Sequence, residues 1–132
     1  MATIKEPVHA KRILVVDDDL EAALLLSLSL RRLGHTVVTA NNAEDGLAWA
    51  EGVSPEVVLL DLEMEGMDGY QTCRTLRTMD RGKNALIVAV TGHGEDEDRR
   101  RTKEAGFDHH LVKPVDRYLL DRLIEQGGKE EA

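Results

Sequence analysis

The sequence predicts an α/β protein built on a doubly wound, five-stranded parallel sheet with helices on both faces. Two observations support this prediction. Short runs of branched aliphatic residues alternate with helical stretches five times within 132 residues. Three of these runs, 13–16, 57–60 and 86–90, contain no polar residue, which is typical of strands that helices cover on both sides. The first two of these runs are followed directly by aspartate, so acidic side chains are expected at one edge of the sheet.

Composition limits the class of protein. A chain of 132 residues with 42% hydrophobic and 32% charged residues is long enough for one domain with its own core. The formal net charge of −8 argues against a nucleic-acid-binding surface. Cys73 is the single cysteine, so neither a disulfide framework nor a cysteine metal site is expected. Without a signal segment or a run long enough to span a membrane, we expect a cytoplasmic protein with no membrane contact.

The elements follow from hydrophobic period and capping residues. The predicted strands cover residues 13–16, 36–40, 57–61, 86–90 and 109–112. The predicted helices cover 20–33, from Asn42 to Gly52, 70–77, from the acidic residues at 95–98 to Gly106, and 117–126. Asp19 and Asp68 are expected N-caps, and Gly34 is an expected left-handed helix end. We expect a disordered lead-in over 1–11, one domain over 12–126, and a flexible tail over 127–132, together a freestanding protein.

Two helices have distinctive patterns. The leucines of the first helix are too many for one narrow stripe, and they stand at positions 24, 25, 26, 28 and 30. Burial of most of them in the core is the main expectation, and a small exposed contact patch is the alternative. The fourth helix carries three pairs of opposite charge in the favourable order, Glu95/Arg99, Asp96/Arg100 and Glu97/Arg101. Its basic run is expected to be a solvated face.

Chemistry-bearing residues stand at the ends of four predicted strands. Asp17 and Asp18 follow the first strand, Asp61 ends the third, Thr91 follows the fourth and Lys113 follows the fifth. Carboxylates without histidine or cysteine ligands suit a hard cation such as Mg²⁺. A metal ion, an ammonium group and a hydroxyl around one carboxylate would form a pocket for a phosphoryl group, with Asp61 as the nucleophile.

Five stretches resemble the receiver domain of bacterial two-component response regulators. They are residues 13–19 (ILVVDDD), 59–64 (LLDLEM), 66–69 (GMDG), 90–92 (VTG) and 113–114 (KP). The resemblance covers about residues 12–126 and implies a flavodoxin-like, or CheY-like, fold with strand order 2-1-3-4-5.

The resemblance also implies roles for individual residues. Asp61 is the phosphoacceptor, the Thr91 hydroxyl moves toward the phosphoryl group, and Lys113 pairs with it. The implied Mg²⁺ ligands are the carboxylates of Asp17, Asp18 and Asp61 and the backbone carbonyl of Glu63. The Lys113–Pro114 peptide is expected to be cis.

The sequence also departs from the family pattern. Glu65 stands where a proline is usual. His110 stands where an aromatic residue usually acts as a switch, and it could add sensitivity to pH. Glu63 and His93 occupy positions that influence the lifetime of the phosphoryl group. The run 105–115 is similar to receivers attached to hybrid sensor kinases.

The expected function is that of a stand-alone response regulator. It would accept a phosphoryl group from a histidine kinase or histidine phosphotransfer protein, and it would contact a downstream protein through the fourth helix, fifth strand and fifth helix. Its only catalysis would be its own phosphorylation and dephosphorylation, so it is not a metabolic enzyme. The alternatives are a receiver-like adaptor that acts without phosphorylation and an aspartate-nucleophile phosphohydrolase. Glu21, at the position where such hydrolases have threonine, argues against the latter.

Overall fold

The structure is a computed structural model that describes residues 10–64, 66–92 and 96–126, without the side chains of 96–98. Five strands alternate with five helices. The strands are β1 (Arg12–Val16), β2 (Thr36–Ala40), β3 (Val57–Asp61), β4 (Leu86–Thr91) and β5 (His109–Val112). The helices are α1 (Leu20–Arg32), α2 (Ala43–Val53), α3 (Gly69–Thr78), α4 (Asp96–Ala105) and α5 (Arg117–Gln126).

The strands form one parallel sheet in the order β2-β1-β3-β4-β5, which confirms the predicted fold class. β3 is central and buried along its whole length, as its uninterrupted apolar run predicts. Its residues alternate between two cores. Val57 and Leu59 face the core formed with α1 and α5, whereas Val58 and Leu60 face the core formed with α2, α3 and α4. Helices therefore cover both faces of the sheet. Functional side chains can reach solvent at the ends of the strands.

The predicted capping residues are confirmed. The side chains of Asp19 and Asp68 accept hydrogen bonds from backbone N–H groups three residues later, at the starts of α1 and α3. Asn42 caps α2 in the same way. Gly34 has a φ of 101°, a conformation that glycine adopts without the strain of a side chain. These caps fix where each helix begins relative to the strand before it.

The expectation that the leucines of α1 are mostly core residues is wrong for three of them. The exposed fractions are 52% for Leu24, 59% for Leu25 and 46% for Leu28. Leu30 is buried as expected, together with Ala23 and Ser27. α1 packs against the sheet on one side only, so leucines on its outer side remain in solvent. The alternative reading, an exposed apolar patch, describes this helix better.

Three further expectations concern residues that the structure covers incompletely. The charge pairs that start from residues 95–97 lie outside the described side chains. Within the described part of α4, Arg100 pairs with Glu104 at 3.0 Å, and the Arg101 guanidinium lies 4.1 Å from the centre of the Tyr70 ring. The lead-in over 1–11 lies mostly, and the tail over 127–132 wholly, outside the described residues, so the predicted domain limits stay predictions.

Arg77 at the end of α3 connects three segments of the fold. Its guanidinium donates to the backbone carbonyl of Gly106 at 2.6 and 2.9 Å and to that of Ala85 at 2.7 Å. It also contacts the Asp108 carboxylate at 2.8 Å, and the same carboxylate accepts from the backbone N–H of Ile87. Since hydrogen bonds to charged groups are stronger than neutral ones, this residue holds α3 against the starts of β4 and β5.

Candidate functional site

Four predicted site residues meet at the carboxyl edge of the sheet. Asp17 follows β1, Asp61 is the last residue of β3, Thr91 is the last residue of β4, and Lys113 follows β5. Backbone hydrogen bonds continue the sheet at this edge, from Asp17 N–H to the Ala40 carbonyl at 3.0 Å and from Lys113 N–H to the Thr91 carbonyl at 2.8 Å. The parallel topology therefore brings together residues that are almost a hundred positions apart in the chain.

The acidic side chains form a cluster suited to a metal ion. Asp17, Asp18 and Asp61 each offer a carboxylate oxygen, and these oxygens all lie within 4.8 Å of one another. Asp17 and Asp61 are buried, and Asp18 is exposed. Three carboxylate oxygens this close to one another fit a hard divalent cation such as magnesium, which keeps several waters of its own. Asp19 is not part of this cluster, because its carboxylate caps α1.

The backbone and Lys113 orient the two buried carboxylates. The Oδ1 atom of Asp61 accepts from the Glu63 N–H at 3.0 Å, and the Oδ1 atom of Asp17 accepts from the Asp19 N–H at 2.9 Å. The Nζ atom of Lys113 lies 3.4 Å from Asp17 Oδ2 and 3.8 Å from Asp61 Oδ2. Each carboxylate is thus held through one oxygen while the other faces the ammonium group. The Lys113–Pro114 peptide is cis, as expected.

The site is short of positive charge. Burial raises the pKa of Asp61 from its ordinary 3.8 to about 6; the Glu63 N–H and Lys113 oppose this rise, and the nearby Asp17 carboxylate adds to it. Burial alone would lower the pKa of Lys113, but the carboxylates of Asp61 and Asp17 raise it above 10.5, so the amine stays charged. One ammonium group does not balance three carboxylates, and a divalent cation would supply the missing charge.

We expect Asp61→Asn to raise the free energy of unfolding of the metal-free protein by about 1 to 3 kcal/mol near pH 8. The folded-state pKa of about 6 lies above the ordinary 3.8, so stability from protonated Asp61 is present below about pH 4 and lost as pH rises through about 6. Asparagine does not ionise, so the advantage of the variant should shrink as pH falls. Urea unfolding in EDTA at several pH values measures this difference.

The matched control is Asp80→Asn, since 95% of the Asp80 side chain is exposed in a turn. Its unfolding free energy should stay within about 0.5 kcal/mol of the wild type at every pH. A loss of stability in Asp61→Asn near neutral pH, or a gain that does not depend on pH, would contradict the proposed repulsion.

Of the remaining predicted residues, some are described by the structure and others lie outside the described residues. Thr91 is 2% exposed and follows Val90, the register partner of Asp61. The Glu63 side chain is exposed, and the role of its backbone carbonyl stays a prediction. His93 lies outside the described residues, as does Glu65, so the expectations about them stay predictions as well.

His110 contacts α4 from its place on β5. Its Nδ1 atom lies 3.3 Å from the Thr102 hydroxyl, which itself donates to the Arg99 carbonyl at 2.8 Å. The direction of the hydrogen bond between this hydroxyl and His110 depends on which ring nitrogen carries the proton. Sequence reasoning missed this link, since the distance between Thr102 and His110 depends on how α4 packs on β5.

Gly69 is a second residue whose part in the site was missed. A Cβ atom on this first residue of α3 would lie 2.8 Å from the Asp61 carbonyl oxygen and 2.7 Å from the Leu62 Cα atom. Such distances are far inside van der Waals contact, so α3 approaches the end of β3 at a point where only glycine fits. The one available signal was a glycine directly after the Asp68 cap.

Comparison with known proteins supports the same class of protein. The chain matches the response regulator receiver domain model over residues 13–125. It is 38% identical to Protein PilH of Pseudomonas aeruginosa over 86% of this chain and 93% of that protein. The chemotaxis protein CheY4 of Vibrio cholerae is similar in structure, with a TM-score of 0.84, 25% identity, and 90% and 99% of the two chains covered.

A further structure carries a metal ion. The receiver domain of the sensor histidine kinase PA1611 from Pseudomonas aeruginosa, with magnesium coordinated in its active site cleft, has a TM-score of 0.82 and 27% identity. The comparison covers 91% of this chain and 98% of that one. With a five-stranded sheet in the order 2-1-3-4-5 and an acidic cluster at its edge, the chain belongs to the response regulator receiver domain family. Within the described residues, no helix is both long and apolar enough to cross a membrane.

Proposed function

We propose that this chain is a phosphoacceptor receiver that takes a phosphoryl group onto Asp61 in a Mg²⁺-dependent reaction. The donor would be a histidine kinase or a histidine phosphotransfer protein in the cytoplasm. The observation that supports this best is the convergence of Asp17, Asp18 and Asp61 within 4.8 Å, with Lys113 beside two of them. A single buried nucleophile next to a cation site and an ammonium group is what transfer to a carboxylate requires.

In the proposed phosphoryl transfer, each group of the site has one role. A carboxylate oxygen of Asp61 attacks the phosphorus of the donor, the bond from phosphorus to the donor nitrogen breaks, and an aspartyl phosphate forms. Bound Mg²⁺ would neutralise charge on the phosphoryl oxygens. Lys113, held 3.8 Å from Asp61 Oδ2, is placed to contact the transferred group. The hydrogen bond from the Glu63 N–H keeps the attacking carboxylate oriented.

Thr91 and His110 are the proposed response elements. Thr91 ends the strand next to β3, and its backbone carbonyl accepts from Lys113 N–H, so it adjoins both the nucleophile and the lysine. We propose that its hydroxyl donates to the phosphoryl group once Asp61 is modified. His110 occupies the position of the usual aromatic switch, and its contact with Thr102 would transmit a shift of β5 to α4.

The signal would leave through the surface formed by α4, β5 and α5. A groove there is lined by Leu119 and Leu123, by the basic side chains of Arg99 and Lys103, and by His109 and the acidic Asp108. These basic side chains stand out in a chain of net charge −8. Such a groove suits a downstream protein that presents an apolar segment with acidic neighbours.

The test is phosphorylation by a small donor. We expect incubation with acetyl phosphate and Mg²⁺ to add the mass of one phosphoryl group, in a linkage that base cleaves, and EDTA to prevent it. Asp61→Asn should give no adduct. Asp68→Asn is the matched control, because asparagine preserves the cap of α3 and that acid lies outside the cluster.

Intact-mass spectrometry and peptide mapping decide between the alternatives. An unmodified wild-type chain would favour the adaptor that works without phosphorylation. An adduct that survives in Asp61→Asn would place the nucleophile elsewhere and refute the assignment. Rapid turnover of acetyl phosphate without a trapped adduct would point to a phosphohydrolase.

A further inference from the structure

Arg101 of α4 makes a contact to which the proposed phosphoryl transfer assigns no role. Its guanidinium carbon lies 4.1 Å from the centre of the Tyr70 ring, a distance at which a cation and an aromatic face attract each other. Tyr70 is only 8% exposed, and its ring meets that of Phe107 edge to face, with centroids 6.5 Å apart. Among the described side chains no carboxylate forms an ion pair with Arg101, so the shielded ring is the partner of this charge.

Tyr70 is fixed in place because α3 is held at both ends. At its start, Gly69 lies so close to the end of β3 that an added Cβ atom would come within 2.8 Å of the Asp61 carbonyl oxygen. Near its other end, Arg77 donates to the Ala85 carbonyl, directly before β4, at 2.7 Å. The Tyr70 ring is thus a fixed surface beside α4, next to the segment that carries the proposed phosphoacceptor.

Two adjacent residues link α4 to different neighbours. Arg101 contacts Tyr70 on α3, and the hydroxyl of the next residue, Thr102, lies 3.3 Å from His110 Nδ1 on β5. Consecutive residues of a helix point about 100° apart, so the two contacts hold α4 from different directions. The C-terminal end of α4 is tied to α3 as well, because the Gly106 carbonyl accepts two hydrogen bonds from that helix. A shift of α4 together with β5 therefore moves Arg101 away from the Tyr70 ring.

We propose that Arg101 is a positioning residue that keeps α4 in the place it takes while Asp61 is unmodified. This role rests on the proposed function, in which a shift of β5 reaches α4 through His110. Modification of Asp61 and the contact of Arg101 with Tyr70 then oppose each other, because one moves α4 and the other holds it. Since opposing effects on one equilibrium are linked, loss of the contact should strengthen the binding of a phosphoryl group at Asp61.

Binding of beryllium fluoride measures this linkage, because BeF₃⁻ together with Mg²⁺ takes the place of a phosphoryl group on a carboxylate and dissociates reversibly. Arg101→Gln changes an exposed side chain, so the fold should be preserved. We expect this variant to bind BeF₃⁻ roughly 3 to 10 times more tightly than the wild type, as a cation–π contact of ordinary strength allows. Loss of a positive charge would by itself weaken the binding of an anion, so net charge does not explain a gain. Fluorine NMR titration in saturating Mg²⁺ gives the dissociation constants.

Conservative variants test whether the contact itself is responsible. Arg101→Lys keeps a cation and Tyr70→Phe keeps the ring face, so both should stay within about twofold of the wild type. Tyr70→Leu should strengthen binding as Arg101→Gln does, and the two changes together should add nothing further, because each removes the same contact. Arg100→Gln is the matched control, since it neutralises the neighbouring arginine, which pairs with Glu104, and it should leave the affinity unchanged.

The titrations distinguish failure of this role from failure of the proposed function. A wild-type chain that binds Mg²⁺ but not BeF₃⁻ would refute the phosphoacceptor and, with it, the role of Arg101. If the wild type binds BeF₃⁻ and Arg101→Gln binds it equally or more weakly, the phosphoacceptor stands and the positioning role is refuted. Affinity for Mg²⁺ without fluoride should be the same in both chains. A change there as large as the change for BeF₃⁻ would mean that Arg101 acts on the acidic cluster and not on α4, which also overturns the proposal.

Discussion

Replacing Asp17 and Asp18 together by asparagine should lower the affinity of the chain for Mg²⁺ at least about 100-fold, a loss of roughly 2.7 kcal/mol. Their carboxylate oxygens lie within 4.8 Å of each other and of Asp61, so one bound ion would contact all three. Two neutral amides keep the shape of the side chains but remove two charges, and hard cations bind charged oxygen more strongly. Isothermal titration of Mg²⁺ near neutral pH measures the change.

Asp19→Asn is the matched control for that experiment. It removes a charge from the neighbouring position, but the Asp19 carboxylate caps α1 rather than joining the cluster. Asparagine is an equally good N-cap, so the fold should be preserved and Mg²⁺ affinity should fall by less than about threefold. An equal loss in the control and in the double variant would mean that net charge, not a defined site, attracts the ion.

Gly69→Ala should destabilise the protein by about 2 to 4 kcal/mol, the largest effect that we expect from a single methyl group. The new Cβ atom would meet the Asp61 carbonyl oxygen at 2.8 Å and the Leu62 Cα atom at 2.7 Å. Both contacts are with the main chain, so relief requires α3 to move away from the end of β3. We expect phosphorylation by acetyl phosphate to slow as well, because Asp61 shares that displaced segment. Urea unfolding and intact-mass kinetics measure the two effects.

Gly52→Ala is the opposite case and serves as the control. Gly52 lies in α2, and nothing would lie within 4 Å of an added Cβ atom. Alanine favours the helix over glycine, so stability should rise by about 0.5 to 1 kcal/mol and phosphorylation should not change. If Gly69→Ala behaves like Gly52→Ala, the close approach of α3 to Asp61 does not constrain this site.

The positions of the strands and caps could be predicted because their causes are local. A run without polar residues must be buried on both faces, so β3 and the position of Asp61 at its end follow from residues 57–61 alone. Likewise Asp68, followed by helix-forming sequence, is enough to place the start of α3. The likeness of the strand-end residues to receiver domains then gave the order of the strands.

Features that arise between distant segments could not be predicted in this way. Arg77 donates hydrogen bonds to the backbone carbonyls of Gly106 and Ala85. Hydrophobic periodicity predicts single helices and strands, and it does not predict contacts between separate segments of the chain. The raised pKa of Asp61 depends on burial and on Asp17, which follows another strand. The space around Gly69 depends on how α3 meets β3.

The α1 helix shows most clearly which features the sequence predicts and which features only the tertiary packing determines. Its sequence established that it is a helix, where it begins, and that it is rich in leucine. Periodicity gives the residues that share a side of a helix, but it does not tell which side another element covers. Only the packing of α1 on one face of the sheet leaves Leu24, Leu25 and Leu28 in solvent. The residue types along the chain thus predict the helices, the strands and the site residues. The packing of the helices on the sheet determines the distances between those residues.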